Sequence, residues 1–369
     1  MISITNIFKR KKNIIKKKYE MGMSKLTGIK FPQWTVILKS FPVLRKSSDE
    51  NKLHLSPFQV MVQKEIADHI RNWRFLILFA IILLACTGTL FSTLTDSLKT
   101  LGSDTSENTF FFLNLFTKSD GTLPSFFVFV GFLGPLFGIG LGFDAISSEQ
   151  NRGTLSRIMA QPVPRDYILN AKFLAGIIVI GVMLFSLSFL VMGTGLIALG
   201  IPPTAEEFLR IIVYTLLSIV YVSFWLNLSI LFSVRFRQPA TSALTGIAVW
   251  LFFTIFYPLI VNLIVKGFEP SKYAAPNAIY IYKKLKFYLV QIMPNELFDE
   301  ITSAILVPSV RSLGPLTMEQ IQGAIPGSLP LAQSVLLVWP QVTGLLALTL
   351  LCFLFSYLIF MKREIRSRG

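Results

Sequence analysis

Long apolar runs separated by short polar turns dominate this 369-residue chain from about residue 75 onward. A helix needs roughly 20 mostly apolar residues to cross the hydrocarbon core of a bilayer. Six runs meet this requirement, namely residues 75–94, 124–143, 173–199, 208–232, 240–265 and 331–361. The last run is long and contains Pro340, which predicts a kink or a break in its first turns. The pattern therefore predicts an all-α polytopic membrane protein with six transmembrane helices.

Lys and Arg are concentrated on one side of these predicted spans. They cluster before the first span, in the turns after the second and fourth spans, and in the tail 362–369. The short loop 201–207 holds Glu206 and Glu207 but no base. Because positively charged short loops stay in the cytoplasm, both termini are predicted to be cytoplasmic. The loop 266–330 is then extracytoplasmic.

The polar segments between and before the spans also carry local patterns. In the outer loop 266–330, Asn295 is the predicted cap of a helix that ends near Leu306, so this domain should be partly helical. Residues 57–74 alternate an apolar face, which includes Phe58, Val62 and Ile66, with a charged face. This alternation predicts an amphipathic interfacial helix leading into span one. Residues 1–56 are basic and irregular, and they form a separate cytoplasmic segment without an assigned role.

Composition agrees with a membrane protein and excludes some other classes. Apolar residues make up 53% of the chain, charged residues only 15%, and the net charge is +15. A basic chain suggests nucleic acid, but here the bases flank apolar runs, where they meet anionic lipid headgroups. Membrane lipid is therefore the predicted partner of these charges. Cys86 and Cys352 lie in different apolar runs and are interpreted as packed thiols.

The sequence lacks the characteristic motifs of several enzyme classes. No Gly-x-x-x-x-Gly-Lys-Ser/Thr loop occurs, so the chain is not expected to hydrolyse ATP or to be an enzyme. No His-Glu-x-x-His occurs, and no metal site is predicted. The segment from Glu206 to Arg210 resembles a membrane-protease motif but is one residue short. Gly140-Leu-Gly142-Phe-Asp144 misses the motif of membrane aspartyl proteases in the same way.

The turn between spans two and three, residues 144–171, is the most informative polar stretch. Ile146, Leu155 and Ile158 supply apolar contacts for a helix that continues past the membrane, and Gly153 permits a tight turn or the close approach of another surface. Lys172 then marks the headgroup level of span three. From spacing alone, a solvated loop whose charges only enforce topology remains an equal alternative.

The residues of this turn resemble the type-2 class of ABC transporter permeases. The matching residues are Phe143-Asp144, Glu149, Gly153-Thr154-Leu155, Pro162-Val163-Pro164-Arg165 and Lys172. Six spans and a short turn after span four also fit that class over residues 57–363. The long last outer loop is most similar to permeases of copper-enzyme maturation in nitrous oxide reductase systems.

The resemblance implies an ATP-driven exporter subunit in the cell membrane. The turn would be a coupling helix that docks on a cytoplasmic ABC ATPase, which carries the ATP and magnesium; this chain needs no cofactor of its own. A second permease chain, identical or related, would complete a dimer, and an extracytoplasmic partner is a further candidate. The implied ATPase-coupling residues are Asp144, Glu149, Arg152, Gly153, Thr154, Leu155, Arg157 and Arg165.

Other roles stay open at this point. Asn227 and Thr245 are candidate residues of a transport path, although polar residues in spans commonly just bond between helices. A non-transporting membrane scaffold that transmits force to an extracytoplasmic partner is one alternative function. An ATP-independent carrier is another, although the spans offer few of the buried charges that ion-coupled carriers use.

Overall fold

The computed structural model describes residues 56–100, 110–119, 121, 123–161, 163–200, 202–271, 275–316 and 327–362, with the side chains of 96–100 and 199 excepted. Pro162, the tail from residue 363 and nearly all of the basic N-terminal segment lie outside the described residues. The described part contains helices and turns and no strand. The helices in chain order are α1 Pro57–Arg71, α2 Trp73–Thr100, α3 Phe111–Thr117, α4 Phe126–Gly142, α5 Ser147–Asn151, α6 Thr154–Met159, α7 Arg165–Leu199, α8 Ala205–Arg235, α9 Pro239–Leu251, α10 Tyr257–Lys266, α11 Pro276–Val290, α12 Pro294–Leu306, α13 Leu331–Leu337 and α14 Trp339–Lys362.

Six helical stretches in the described residues are long and apolar enough to cross a membrane, and each overlies a predicted span. They are Trp73–Thr95, Phe126–Asn151, Arg165–Ala198, Ala205–Arg235, Pro239–Lys266 and Trp339–Lys362. The number and order of the spans are thus as predicted. The third begins eight residues earlier than predicted, because α7 starts directly after Pro164 and includes the polar residues up to Lys172.

Prolines interrupt the fifth and sixth spans. In span six the predicted break is confirmed at Val338, between α13 and α14. Pro340 has no N–H to donate to the carbonyl of residue 336, so the helical ladder cannot continue there. In span five a π-helical segment, Phe252–Phe256, joins α9 to α10 just before Pro258. Such wide turns are a common way to accommodate a local break in a helix.

Helix α8 is the centre of the bundle and packs against α4, α7, α9, α12 and α14. Glycines on α4 allow the closest of these approaches. A methyl group on Gly138 would lie 2.6 Å from the Val222 carbonyl oxygen, and one on Gly142 would lie 2.6 Å from that of Leu226. Small residues four apart let helix backbones approach in this way inside membranes.

The described part of the segment between spans five and six folds back towards the bundle. Helix α11 runs antiparallel to α10, so that the Tyr257 hydroxyl donates to the Leu289 carbonyl at 3.0 Å. Helix α12 then lies alongside α8, with Phe298 stacked on Tyr221 at 4.2 Å between ring centroids. The prediction that Asn295 caps α12 is wrong, because the cap position is Met293. The side-chain amide of Asn295 instead donates to Thr254 Oγ1 at 2.8 Å, a tertiary hydrogen bond that local sequence spacing does not reveal.

The protease-like segment at the start of α8 has a structural role in the described residues. Glu207 accepts hydrogen bonds from the backbone of Thr204 and from the Phe112 N–H, both at 2.9 Å. The fully buried Arg210 donates to the carbonyl oxygens of Ile305 and Leu329. These bonds fasten α3, α12 and the approach to α13 onto the outer end of α8.

Replacing Gly138 with Ala should destabilise the bundle by about 1–3 kcal/mol, because the added methyl group meets backbone atoms that cannot move aside cheaply. The matched control is Gly193→Ala on α7, where an added Cβ has no neighbour within 4 Å. That substitution should be neutral or slightly stabilising. The midpoints of thermal unfolding in detergent provide the comparison. A loss for Gly193→Ala as large as that for Gly138→Ala would contradict the close approach of α4 and α8.

Candidate coupling site

The turn between spans two and three folds into two short helices, α5 and α6. Gly153 joins them with a φ of 67°, a left-handed conformation that favours glycine, and a Cβ added there would meet nothing within 4 Å. The predicted tight turn at Gly153 is confirmed. Thr154 then begins α6, and its hydroxyl donates to the Glu149 carbonyl at 3.2 Å. The turn thus has a fixed and compact shape.

The inner end of α8 holds this turn in place. The backbone N–H groups of Ile146 and Ser147 both donate to Ser233 Oγ at 3.0 Å. The side chains of Ile146 and Leu155 are buried in the main apolar core. These contacts satisfy donors at the start of α5 that would otherwise have no partner. The turn is therefore packed against the bundle, unlike a freely solvated loop.

A buried ammonium group joins the turn to two other helices. Lys172 on α7 is only 5% exposed. Its Nζ donates to Glu149 Oε1 of the turn at 2.8 Å and to Glu65 Oε2 of α1 at 2.9 Å. Lys64 of α1 adds a second cation, 2.9 Å from Glu65 Oε1. We call Lys64, Glu65, Glu149 and Lys172 the Lys172 cluster.

Apolar contacts beside the Lys172 cluster seat α1 on the start of α7. Val62 packs with Ala171 and Ala175, and Phe58 meets Tyr167 edge to face at 5.4 Å between ring centroids. Small residues on α7 let α1 lie close enough for Glu65 to reach Lys172. The predicted helix before span one is therefore present, and one of its faces is buried against span three.

The charges in the Lys172 cluster favour ionised side chains. Burial acts to raise the pKa of the Glu65 carboxyl group, because it disfavours charge. The attraction of Lys172 and the hydrogen bonds from Lys172 and Lys64 outweigh this effect and lower the pKa. Glu65 is thus held as a carboxylate, and the two acids and two lysines compensate one another.

A second ion pair links the same regions closer to span one. Arg74, at the start of α2, donates to Asp144 Oδ2 at the end of span two. Its guanidinium also lies over the Phe143 ring, 5.1 Å from the centroid. Such a cation–π contact adds to the ion pair. Asp144 is therefore engaged by its own chain.

Seven of the eight predicted coupling residues divide into two groups, and the eighth, Thr154, is half-buried at the start of α6. Asp144, Glu149 and Leu155 face their own chain, as the contacts above establish. Arg152, Gly153 and Arg157 are exposed at the tip of the turn, and Arg165 is exposed at the start of α7. Within the described residues none of these three arginines makes an ion pair or a hydrogen bond through its side chain. They form the surface that a partner could reach.

The two predicted path residues are not brought together. Asn227 is fully buried and its amide donates to the Thr349 carbonyl of α14 at 2.8 Å. Thr245 donates to the Thr241 carbonyl of its own helix at 2.8 Å. Asn227 thus joins spans four and six, while Thr245 satisfies itself locally.

Sequence reasoning missed the contribution of α1 to this site. Glu65 lies three residues after Val62 and seven after Phe58, so it sits beside the apolar face of α1. A carboxylate in that position, and Lys172 entering an apolar span, are each unusual enough to suggest a partner. The two residues are 107 positions apart in the sequence, so no local pattern indicates that they form a pair.

Comparison with known protein families matches residues 59–365 to ABC-2 family transporter proteins. The chain belongs to this ABC-2 transporter family. A search of the curated proteins found no match. The family match spans α1, the turn and all six candidate spans, so it covers both the bundle and the candidate site.

Membership settles the general character of the protein. It is a membrane component of an ABC transporter, of the permease type, and not itself an enzyme. Six membrane-spanning helices make it a multi-pass protein of the plasma membrane. The family implies association with a cytoplasmic ABC ATPase and dimerisation in general.

Replacing Lys172 with Met should lower the free energy of unfolding by about 3 kcal/mol or more, because two carboxylates lose their shared buried cation. Lys64→Met is the matched control, since this lysine touches the same acids but its side chain is 52% exposed. Lys64→Met should lower the free energy of unfolding by less than about 1 kcal/mol. Unfolding experiments in detergent measure the loss of stability in both variants. Equal losses would contradict the central position of Lys172.

Acid should remove the contribution of the Glu65 carboxylate to the stability of the folded protein. A carboxyl group with a lowered pKa in the folded state stabilises fully above its unfolded-state value of about 4.3, and the contribution is lost as the pH falls through the folded-state value. The stability difference between the wild type and Glu65→Gln should therefore stay constant from about pH 7 to about pH 5 and narrow as the pH falls below about 4.3. Thermal unfolding across this range measures the difference. A difference that widens in acid would contradict the role of Glu65 as a bound carboxylate.

Proposed function

We propose that this chain is the permease subunit of an ATP-driven exporter, and that the turn 144–171 couples it to a separate cytoplasmic ATPase. The observation that carries the proposal is that the turn has an exposed tip and a firmly bound base. Its tip is exposed and cationic, while its base is bound to α1, α7 and α8 through the Lys172 cluster and Ser233. A partner that pushes on the tip would move these helices together.

The distribution of charge supports a cytoplasmic position for the turn. Arg235 and Lys362 end spans four and six on the same side as the turn, whereas Glu206 and Glu207 begin span four on the other side. Since positively charged short loops stay inside, the turn, α1 and both termini face the cytoplasm. The docking residues are then Arg152, Gly153, Thr154, Arg157 and Arg165, with Asp144, Glu149 and Leu155 supporting them from behind.

Span five supports a dimer of permeases. Only 11% of the most apolar 18-residue stretch of span five is buried within the chain, whereas 61% of the corresponding stretch of span four is buried. A second copy or a related chain covers part of this face and encloses the transport path. ATP binding, with magnesium, closes the ATPase pair, and the turns transmit this motion to the spans.

The long segment between spans five and six supports a narrower assignment. We propose that the chain is nearest to the permeases of copper-enzyme maturation in nitrous oxide reductase systems, which also have a long last outer loop. Helix α12 packs against α8 and α14 in the outer half of the bundle, and α11 lies along α10. Both helices can close the path on the extracytoplasmic side.

Affinity purification of the wild-type chain from its native membrane should bring an ABC ATPase with it, and Gly153→Trp should abolish this association. The indole projects from the exposed tip and wedges the docking surface. Gly200→Trp is the matched control, because Gly200 also has a left-handed backbone, with a φ of 69°, and open space around it, at the opposite end of α7. Both substitutions carry a similar backbone strain of about 1–2 kcal/mol.

Each outcome of this comparison separates the candidate functions. An ATPase retained by Gly200→Trp and lost by Gly153→Trp supports the coupling role. No ATPase with any intact variant would contradict it and favour the ATP-independent carrier. An ATPase that associates without ATP-dependent substrate movement in vesicles would favour the membrane scaffold.

A further inference from the structure

A pocket of about 210 Å³ lies between α4, the π-helical segment of span five and α12. Its lining includes the aromatic rings of Phe132, Trp250 and Phe253 and the side chains of Thr254 and Asp299. This volume suits the polar end of a ligand with one ring or a short chain, and it is too small for a complete drug-sized molecule.

Asp299 is an acid without a partner. Among the described residues its carboxylate makes no hydrogen bond and no ion pair, although Glu300 beside it accepts from Gln341 at 2.9 Å and from Gln291 at 3.2 Å. Asp299 is exposed, so a ligand in the pocket can reach its carboxylate. Partial desolvation by the surrounding protein, together with the negative charge of Glu296, raises its pKa to about 7. A cation that pairs with this carboxylate favours its charged form.

The aromatic wall offers a second, independent feature. Trp250 is 5% exposed, and its Nε1–H has no acceptor among the described residues. Its ring meets Phe132 edge to face at 5.0 Å between centroids. Aromatic faces attract organic cations.

We propose that this pocket binds the protonated amine of the transported substrate, so that the substrates are organic amines with an apolar body. Asp299 and Glu296 receive the ammonium group, and Phe132, Trp250 and Phe253 pack against the adjoining carbon atoms. An anion would meet two carboxylates, and a neutral apolar molecule would leave Asp299 unpaired. The assignment of a substrate rests on the proposed function, whereas amine binding by the pocket does not.

The pocket is also well placed for a transport path. Its lining includes residues of span five, the span proposed to meet a second copy. Asn295 in its lining bonds to Thr254, and Phe298 on the same helix stacks on Tyr221 of α8. Movement of α8 would therefore change the pocket directly.

Binding is tested on the purified full-length chain in lipid nanodiscs, without any ATPase. The probe is 4-fluorobenzylamine, observed by fluorine NMR titration, and 4-fluorobenzyl alcohol serves as its uncharged counterpart of nearly equal size. The wild type should bind the amine at least about tenfold more tightly than the alcohol, because only the amine pairs with Asp299. Asp299→Asn should weaken amine binding by at least about tenfold, while Glu300→Gln, outside the pocket and on the same helix, should change it by less than about twofold.

Three results would overturn the proposal: no saturable amine binding to the wild type, equal binding of amine and alcohol, or equal effects of Asp299→Asn and Glu300→Gln. Thermal unfolding of both variants verifies that they are folded, and Glu296→Gln, which should also weaken binding, replaces Asp299→Asn if the latter is not. None of these results depends on an ATPase. Failure here with a co-purifying ATPase would leave the coupling role standing, and amine binding without any ATPase would favour a carrier.

Discussion

One buried ammonium group determines how the helices around the turn between spans two and three are assembled. Lys172 enters an apolar span, and leaving its charge unpaired there would cost several kcal/mol. Glu65 and Glu149 remove that cost, but only if α1 and the coupling turn both lie against α7. The same contacts that stabilise Lys172 therefore fix the position of the turn. The functional surface exists because the charge has to be satisfied.

Helix α8 extends the consequences of this arrangement across the bundle. At its C-terminal end Ser233 accepts hydrogen bonds from the start of α5, and near its N-terminal end Arg210 donates to the carbonyl of Ile305 in the last turn of α12 and to that of Leu329 just before α13. Between them, Tyr221 stacks on Phe298. Close-packed interiors transmit displacement because they contain little free space to absorb it. The turn between spans two and three and the pocket beside α12 are thus linked through one packed unit.

The spans were predictable, whereas the contacts between them were not. Apolar length alone predicts six membrane helices, and Pro340 predicts the break before α14, since both depend on local chemistry. The left-handed turn at Gly153 was predictable for the same reason. By contrast, Glu65 and Lys172 are 107 residues apart, and no local pattern pairs them. Asn295 is a residue type that often caps helices, but its side chain donates a hydrogen bond to Thr254 of span five instead. Glu207 and Arg210 resemble part of a catalytic motif, yet they fasten the outer helices to α8.

The central claim is that the tip of the coupling turn touches an ATPase. A photo-crosslinking amino acid at Arg157, activated in the native membrane, tests it most directly, with the same amino acid at the exposed Leu196 near the outer end of α7 as the control. The account predicts a covalent adduct between the Arg157 position and a cytoplasmic ABC ATPase, and none from the Leu196 position. An Arg157 position that captures only lipid, or an ATPase captured equally from both positions, would contradict it.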